Sequence, residues 1–176
     1  MCGRYSLAVD IEDVQKRFAY VHENLNPVRR YNIAPTESVV TVVRATSGDD
    51  KQNYGEIMRW GFIPSWSKGV NRAPHINARD DKLETSRMFS EAYERRRCLI
   101  PADGFFEWRT VAGNKIPYRF TLKGGGLFGF AGIWESWRSP EGKQVRSCAI
   151  ITTEPNELVA PIHDRMPVIL AEEAES

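Results

Sequence analysis

No stretch of the 176 residues approaches the roughly 18 consecutive apolar residues of a membrane-crossing helix, and the N-terminus lacks the apolar core of a secretory signal. The cytosol is therefore the expected compartment, with no membrane partner. Cysteine is scarce: Cys2, Cys98 and Cys148 are odd in number, far apart and without a C-x-x-C pair. This argues against a disulfide framework and against a structural zinc site, so neither a metal nor another cofactor is expected. Charge of one sign is also missing, since 24 basic residues face 23 acidic ones for a formal +1. Overall charge neither requires nor excludes an anionic partner, and local clusters must decide. There is no internal repeat, linker or low-complexity tract.

What the chain does have is 41% hydrophobic and 11% aromatic residues, enough for a sizeable core in a single domain over 1–176. In "DIEDVQKRFAYV", Ile11, Val14, Phe18 and Val21 recur at three- and four-residue intervals behind Asp10, which predicts an amphipathic helix. A second helix is expected over "FSEAYERRR", with Ser90 near its start, and a short one after Pro155 in "NELVAP". Strand signals dominate elsewhere. "SVVTVVR" is β-branched, "EIMRWGF" and "PYRFTL" alternate, and "LFGFAGIWES" and "VRSCAIITTE" are apolar runs bounded by "KGGG" and "SPEGK". "AGNK" and "SPEGK" read as hairpin connections. The expected fold class is α+β, a predominantly antiparallel, curved, barrel-like sheet with a few peripheral helices.

Four stretches hold polar groups in settings that packing alone does not explain. In "MCGR", removal of Met1 would leave Cys2 with a thiol and a free α-amine on neighbouring carbons, and a small second residue favours that removal. In "INARDD", Asn77 and Arg79 lie two apart and share a side if extended; Arg79 is either a bidentate phosphate holder or a solvated residue beside an Asx-turn. In "PADGFFEWR", Glu107 lies among Phe105, Phe106 and Trp108. An aromatic pocket there would raise its pKa and suit it to proton transfer, unless it faces outward. In "APIHDRMP", Pro161 and Pro167 frame His163 and argue for a rigid irregular loop that can aim an imidazole.

His22 and His75 read as structural or surface groups, and Cys98 and Cys148 as small core residues. Cations and aromatics interleave in "MRWGFIPSWSKGVNRAP", with Arg59, Trp60, Trp66, Lys68 and Arg72. Arg4, Arg29, Arg30 and Arg79 can join them on one surface. Such a surface suits single-stranded nucleic acid, although a core tryptophan beside exposed cations gives the same string.

Together these stretches resemble the SRAP family, the SOS-response-associated peptidase or abasic-site-processing proteins. The matching blocks are "MCGR", "RYNIAPT" (30–36), "RWGFIPSW" (59–66), "INAR" (76–79), "TSRMF" (85–89), "CLIPADGFFEW" (98–108) and "IHDRMPVIL" (162–170), in the family's order over nearly the whole chain. The resemblance implies a β-barrel-containing α+β domain that binds abasic sites in single-stranded DNA and joins to them through the N-terminal cysteine, here Cys2. It implies Asn77, Glu107 and His163 as catalytic partners. Arg4, Trp60, Pro64, Trp66 and Arg79 match positions that would line the DNA groove. Family members usually continue for some tens of residues past the strand holding "MPVIL", so a single domain without that C-terminal segment is expected. The partner is expected to be single-stranded DNA with abasic sites, bound by a monomer that associates with the nucleoid.

The implied chemistry is amine capture. An abasic deoxyribose opens to an aldehyde, and an α-amine with a pKa near 7.7–8.0 supplies free base where lysine, near 10.4, supplies almost none. A Schiff base would be followed by attack of the Cys2 thiolate on the same carbon, closing a thiazolidine. Glu107 would move protons, His163 would protonate the sugar oxygen or assist strand cleavage by β-elimination, and Asn77 would fix the terminus or the sugar. Two other functions fit the same residues. One is a cysteine peptidase or autoprotease with Cys2 attacking a carbonyl and His163 or Glu107 as base. The other is a non-catalytic single-strand-binding module.

Overall fold

A computed structural model describes residues 2–21, 29–44, 52–70 and 73–175. Met1, His22 and Arg72 lie outside the described residues. The chain begins with strand β1 (Arg4–Leu7), helix α1 (Ile11–Phe18), β2 (Tyr20–Val21), β3 (Arg30–Ile33), β4 (Ser38–Arg44), β5 (Asn53–Trp60) and β6 (Asn77–Arg79). After a 3-10 turn at Asp80–Lys82 come α2 (Ser90–Arg95), β7 (Arg97–Ala102), β8 (Gly104–Val111), β9 (Asn114–Phe120), β10 (Phe128–Arg138), β11 (Gln144–Thr153) and β12 (Met166–Pro167). The expected strand-rich α+β architecture is what forms.

Five strands close a barrel. β4 pairs with β5, β10 with β11, and β7 with both β10 and β4, all antiparallel. The ring is completed by a parallel contact between β5 and β11 through Ser147–Arg59 and Cys148–Trp60. A smaller sheet, in the order β3-β1-β8-β9, lies beside it. Edge-to-face aromatic contacts join the two: Tyr5 of β1 meets Trp60 of β5 at 5.2 Å and Phe130 of β10 at 5.7 Å between centroids. Burying these rings together with Ile100, Ile150 and Val42 makes the main core. A second cluster, with Phe62, Leu83, Ala92, Ile133 and Ile151, packs under α2.

Local sequence explains the connections. The β8–β9 hairpin turns on Ala112 (φ 48°) and Gly113 (φ 82°), the two positive φ values that a two-residue turn needs to match strand twist. Gly132 on β10 lets neighbouring strands approach closely, because a Cβ there would sit 2.9 Å from Cys98 Sγ.

Two expected helical features do not form. α1 stops at Phe18, where Ala19 turns left-handed (φ 45°), and Val21 instead extends β2 beside β5. "NELVAP" stays a run of turns: Asn156 Oδ1 accepts from the backbone N–H of Leu158 and Val159, but Pro155 and Pro161 leave too few residues to propagate a helix. Among the described residues no helix is long and apolar enough to cross a membrane.

Candidate active site at the N-terminal cysteine

β1 carries the N-terminus to the junction of barrel and small sheet. Its antiparallel register with β8 sets Arg4 opposite Phe106 and Tyr5 opposite Phe105, so Cys2 arrives beside the stretch of β8 that holds Glu107. On β8 the inward positions are Phe105 and Glu107, two apart as strand alternation requires. The carboxylate is therefore packed inward rather than solvated, with its side chain only 3% exposed. From the other side, β6 pairs in parallel with β11 through Asn77–Ile150, and Asn77 Nδ2 donates to the Cys2 carbonyl at 3.1 Å. The loop after Val159 brings in the fourth group, and His163 Nε2 lies 4.0 Å from Glu107 Oε2. Cys2, Asn77, Glu107 and His163 thus come together from four separate stretches of chain.

Burial governs the electrostatics. Cys2 is fully buried, its Sγ donates to the Arg4 carbonyl at 3.7 Å, and its thiol pKa is pushed well up, first by desolvation and then by the nearby Glu107 carboxylate. The thiol at rest is protonated and needs a base. Desolvation also raises the Glu107 pKa, while the positive amino terminus and His163 oppose that rise. His163 is held at its other nitrogen. Nδ1 accepts from the Arg165 backbone N–H at 3.1 Å and lies 2.9 Å from Asp164 Oδ1. A bare Nδ1 is what the Arg165 N–H requires of the ring. The other nitrogen, Nε2, points toward Glu107.

Asn77 has a second capacity. Its Oδ1 is buried without a hydrogen-bond partner among the described residues, leaving an acceptor beside the N-terminus. Among the described residues no group of three or more His, Cys, Asp or Glu is gathered as a metal site.

The expected groove residues divide. Trp60 is 0% exposed, packed on Tyr5 and donating from Nε1 to the Ile76 carbonyl at 3.0 Å, and Pro64 is also buried. Neither offers a stacking surface, which corrects their assignment: strand β5 directs Trp60 into the core, and the same string places Trp66 outside. Trp66 is 58% exposed, with the Arg87 guanidinium 5.6 Å from its ring centroid. Arg4 donates to Asn32 Oδ1 at 3.3 Å. Arg79 is exposed but held by Asp81, while Arg29 pairs with Asp10 and Arg30 with Glu37.

Sequence reasoning missed Arg165. Its guanidinium is almost buried, donating to Asp80 Oδ1 at 2.6 Å and to the Thr152 carbonyl, so it fastens the His163 loop to the end of β11 and to the turn after β6. Its partners are distant in sequence, and only its place within the "IHDRMP" block hinted at a role.

Comparison with known proteins places this geometry in context. The family model described as SOS response associated peptidase (SRAP) matches residues 1–176. The chain is 41% identical over 181 residues to the abasic site processing protein YoqW of Bacillus subtilis, covering 99% of this chain and 78% of that one. It is 31% identical over 182 residues to the abasic site processing protein YedK of Escherichia coli, covering 99% and 77%. A crystal structure of a Bacteroides thetaiotaomicron protein superposes with a TM-score of 0.87 at 26% identity, over 99% of this chain and 79% of that one.

Proposed function

Because the chain belongs to the SOS response associated peptidase (SRAP) family, we propose that it processes abasic sites in single-stranded DNA by joining itself to them through Cys2. The observation that carries this reading is the meeting of the N-terminal cysteine with Asn77, Glu107 and His163 in one largely buried corner of the fold. A general cysteine nucleophile does not require the second residue of a chain. A residue offering both amine and thiol does.

The sequence of steps follows from the protonation states. Removal of Met1 gives Cys2 an α-amine, whose proton passes to the Glu107 carboxylate. The free amine adds to the sugar aldehyde, and the resulting hydroxyl leaves as water when Glu107 returns the proton, giving a protonated imine. Before that addition, His163, whose Nε2 faces the same carboxylate, protonates the sugar oxygen in the ring opening that exposes the aldehyde. The Cys2 thiol, kept neutral by burial, then gives its proton to the Glu107 carboxylate as sulfur attacks the carbon of the protonated imine, and the C=N electron pair returns to nitrogen as the neutral ring amine. Aldehyde plus cysteine thus become thiazolidine plus one water. Because both nucleophiles belong to one residue, ring closure is intramolecular, with effective molarities that reach about 10⁵–10⁸ M in well-oriented systems. Asn77 holds the Cys2 carbonyl, and its buried Oδ1 accepts a hydrogen from the mature amine or from a sugar hydroxyl. If the imine loses a proton from the sugar before sulfur closes, β-elimination cleaves the strand, a lyase side reaction. Single-stranded DNA reaches the site across Arg4 and Trp66.

The test mixes the Met1-processed protein with a single-stranded oligonucleotide bearing one abasic site. The expected product survives denaturant and has the summed mass of protein and DNA less one water. Cys2→Ala should give no such product. An equally stable adduct from Cys2→Ala, or an adduct formed while Met1 is still attached, would overturn the proposal.

A further inference from the structure

Two adjacent acids follow β6, and each holds an arginine. Asp80 accepts from Arg165, whose side chain is 9% exposed and also donates to the Thr152 carbonyl, so that pair is part of the framework. The Asp81 pair is different. Arg79 Nε and Nη2 donate to Asp81 Oδ1 and Oδ2, both at 2.9 Å, and the two side chains are 52% and 46% exposed. It is a two-pronged contact at the surface, within reach of solvent and of a competing anion.

Position gives it meaning. Arg79 is the next residue after Asn77 on the same face of β6, about 7 Å along the strand from the group that holds the Cys2 carbonyl. A guanidinium fork takes carboxylate and phosphate oxygens by the same two parallel N–H···O bonds. The Asp81 carboxylate therefore stands where a backbone phosphate next to a captured sugar would dock.

We infer that Asp81 is an internal competitor for the phosphate fork of Arg79, so that a DNA strand must displace a carboxylate before it gains this contact. The inference rests on the reading that the site takes single-stranded DNA. Its consequence is selectivity. An undamaged strand gains little from Arg79, since one charge-assisted pair is exchanged for another and Asp81 is left beside a phosphate. A strand carrying an abasic site is retained by the covalent bond instead.

The experiment measures noncovalent affinity for an undamaged single-stranded oligonucleotide across a salt series, using Asp81→Asn, Asp81→Ser, Arg79→Gln and the double variant Arg79→Gln/Asp81→Asn. Freeing Arg79 should tighten binding by about two- to fivefold at low salt, the range spanned by exposed ion pairs. It should also steepen the slope of log affinity against log salt by roughly 0.7, because the phosphate then releases counterions rather than a carboxylate. In the Arg79→Gln background, the Asp81→Asn gain should shrink to the effect of removing a bare charge. Unchanged affinity in both Asp81 variants, or the same gain with Arg79 absent, would overturn the competitor role while leaving the abasic-site reading intact. Absence of any DNA binding by the parent and all variants, together with absence of the covalent adduct, would overturn both.

Discussion

Glu107 and His163 face each other across 4.0 Å, Oε2 to Nε2, with the carboxylate side chain 3% exposed and the imidazole side chain 25% exposed. The two groups differ in their access to water, and in the proposed reaction that difference divides their work. The carboxylate lies beside the buried Cys2, where protons must be exchanged within the protein. The imidazole lies at the edge, where it can take protons from solvent or pass them to a sugar oxygen. A carboxylate with a raised pKa beside a histidine is the arrangement expected where protons shuttle near neutral pH.

The first prediction concerns rate and pH. In the proposed reaction Glu107 is ionised when it accepts the proton of the Cys2 amine, and desolvation raises its pKa, so crosslinking should fall on acidification at a higher pH than an exposed carboxylate would produce. Glu107→Gln should slow adduct formation by about 10²–10⁴-fold and remove that acidic limb. Single-turnover rates from pH 5 to 9 with the abasic oligonucleotide check both. An acidic limb that persists unchanged in the variant would assign it to another group.

The same burial makes a stability prediction of the opposite sign. A carboxyl whose pKa is raised in the folded state binds its proton more tightly there than when unfolded, so the fold is favoured below the unfolded pKa and loses stability as pH rises through the folded pKa. At neutral pH the parent therefore bears the cost of an ionised buried group that Glu107→Gln does not. The variant should melt higher than the parent near pH 7, with the gap closing near pH 4. Melting curves at the two pH values decide this, and a gap that widens on acidification would contradict it.

How much of this was legible beforehand depends on the range of the interactions. "SVVTVVR" and "VRSCAIITTE" form β4 and β11 because β-branched and apolar runs carry a local period, and Glu107 could be suspected because its aromatic neighbours are adjacent in sequence. The contact of Asn77 with Cys2 spans 75 positions, and that of Arg165 with Asp80 spans 85. No local pattern encodes either one, and only the family resemblance pointed to the first. Val21 fitted a helical period, but the left-handed turn at Ala19 and the pairing of β2 with β5 overrode it. Trp60 and Trp66 occupy one string and could not be told apart until the barrel closed around one of them.

Asn77 gives a third prediction. Its Nδ2 fixes the Cys2 carbonyl at 3.1 Å, so its loss should leave both nucleophiles intact but less well aimed. Asn77→Ala should lower the adduct rate by about 10- to 10²-fold, the scale of a misplacement near 1 Å. Noncovalent affinity for undamaged DNA should hold within twofold, because the proposed contacts at Arg4 and Trp66 remain. A rate equal to the parent's at saturating DNA would show that the hydrogen bond is dispensable for aiming the terminus.

The two tryptophans give the fourth, and it separates folding from binding. Trp60 fills the junction of the two sheets with no exposed surface, and truncating such a side chain typically costs about 3–5 kcal/mol. Trp60→Ala should therefore unfold at markedly lower temperature or denaturant concentration. Trp66 lies mostly in solvent beneath the Arg87 guanidinium, and its removal leaves no cavity in the core. Trp66→Ala should melt within a few degrees of the parent yet bind single-stranded DNA more weakly, by the roughly 1–3 kcal/mol that a base gains from stacking on an aromatic side chain. Chemical denaturation and DNA titration of the same two variants make the comparison. If Trp66→Ala binds DNA as tightly as the parent while remaining folded, the strand does not cross this face, and the approach to Cys2 has to run along the Arg4 and Asn32 side instead.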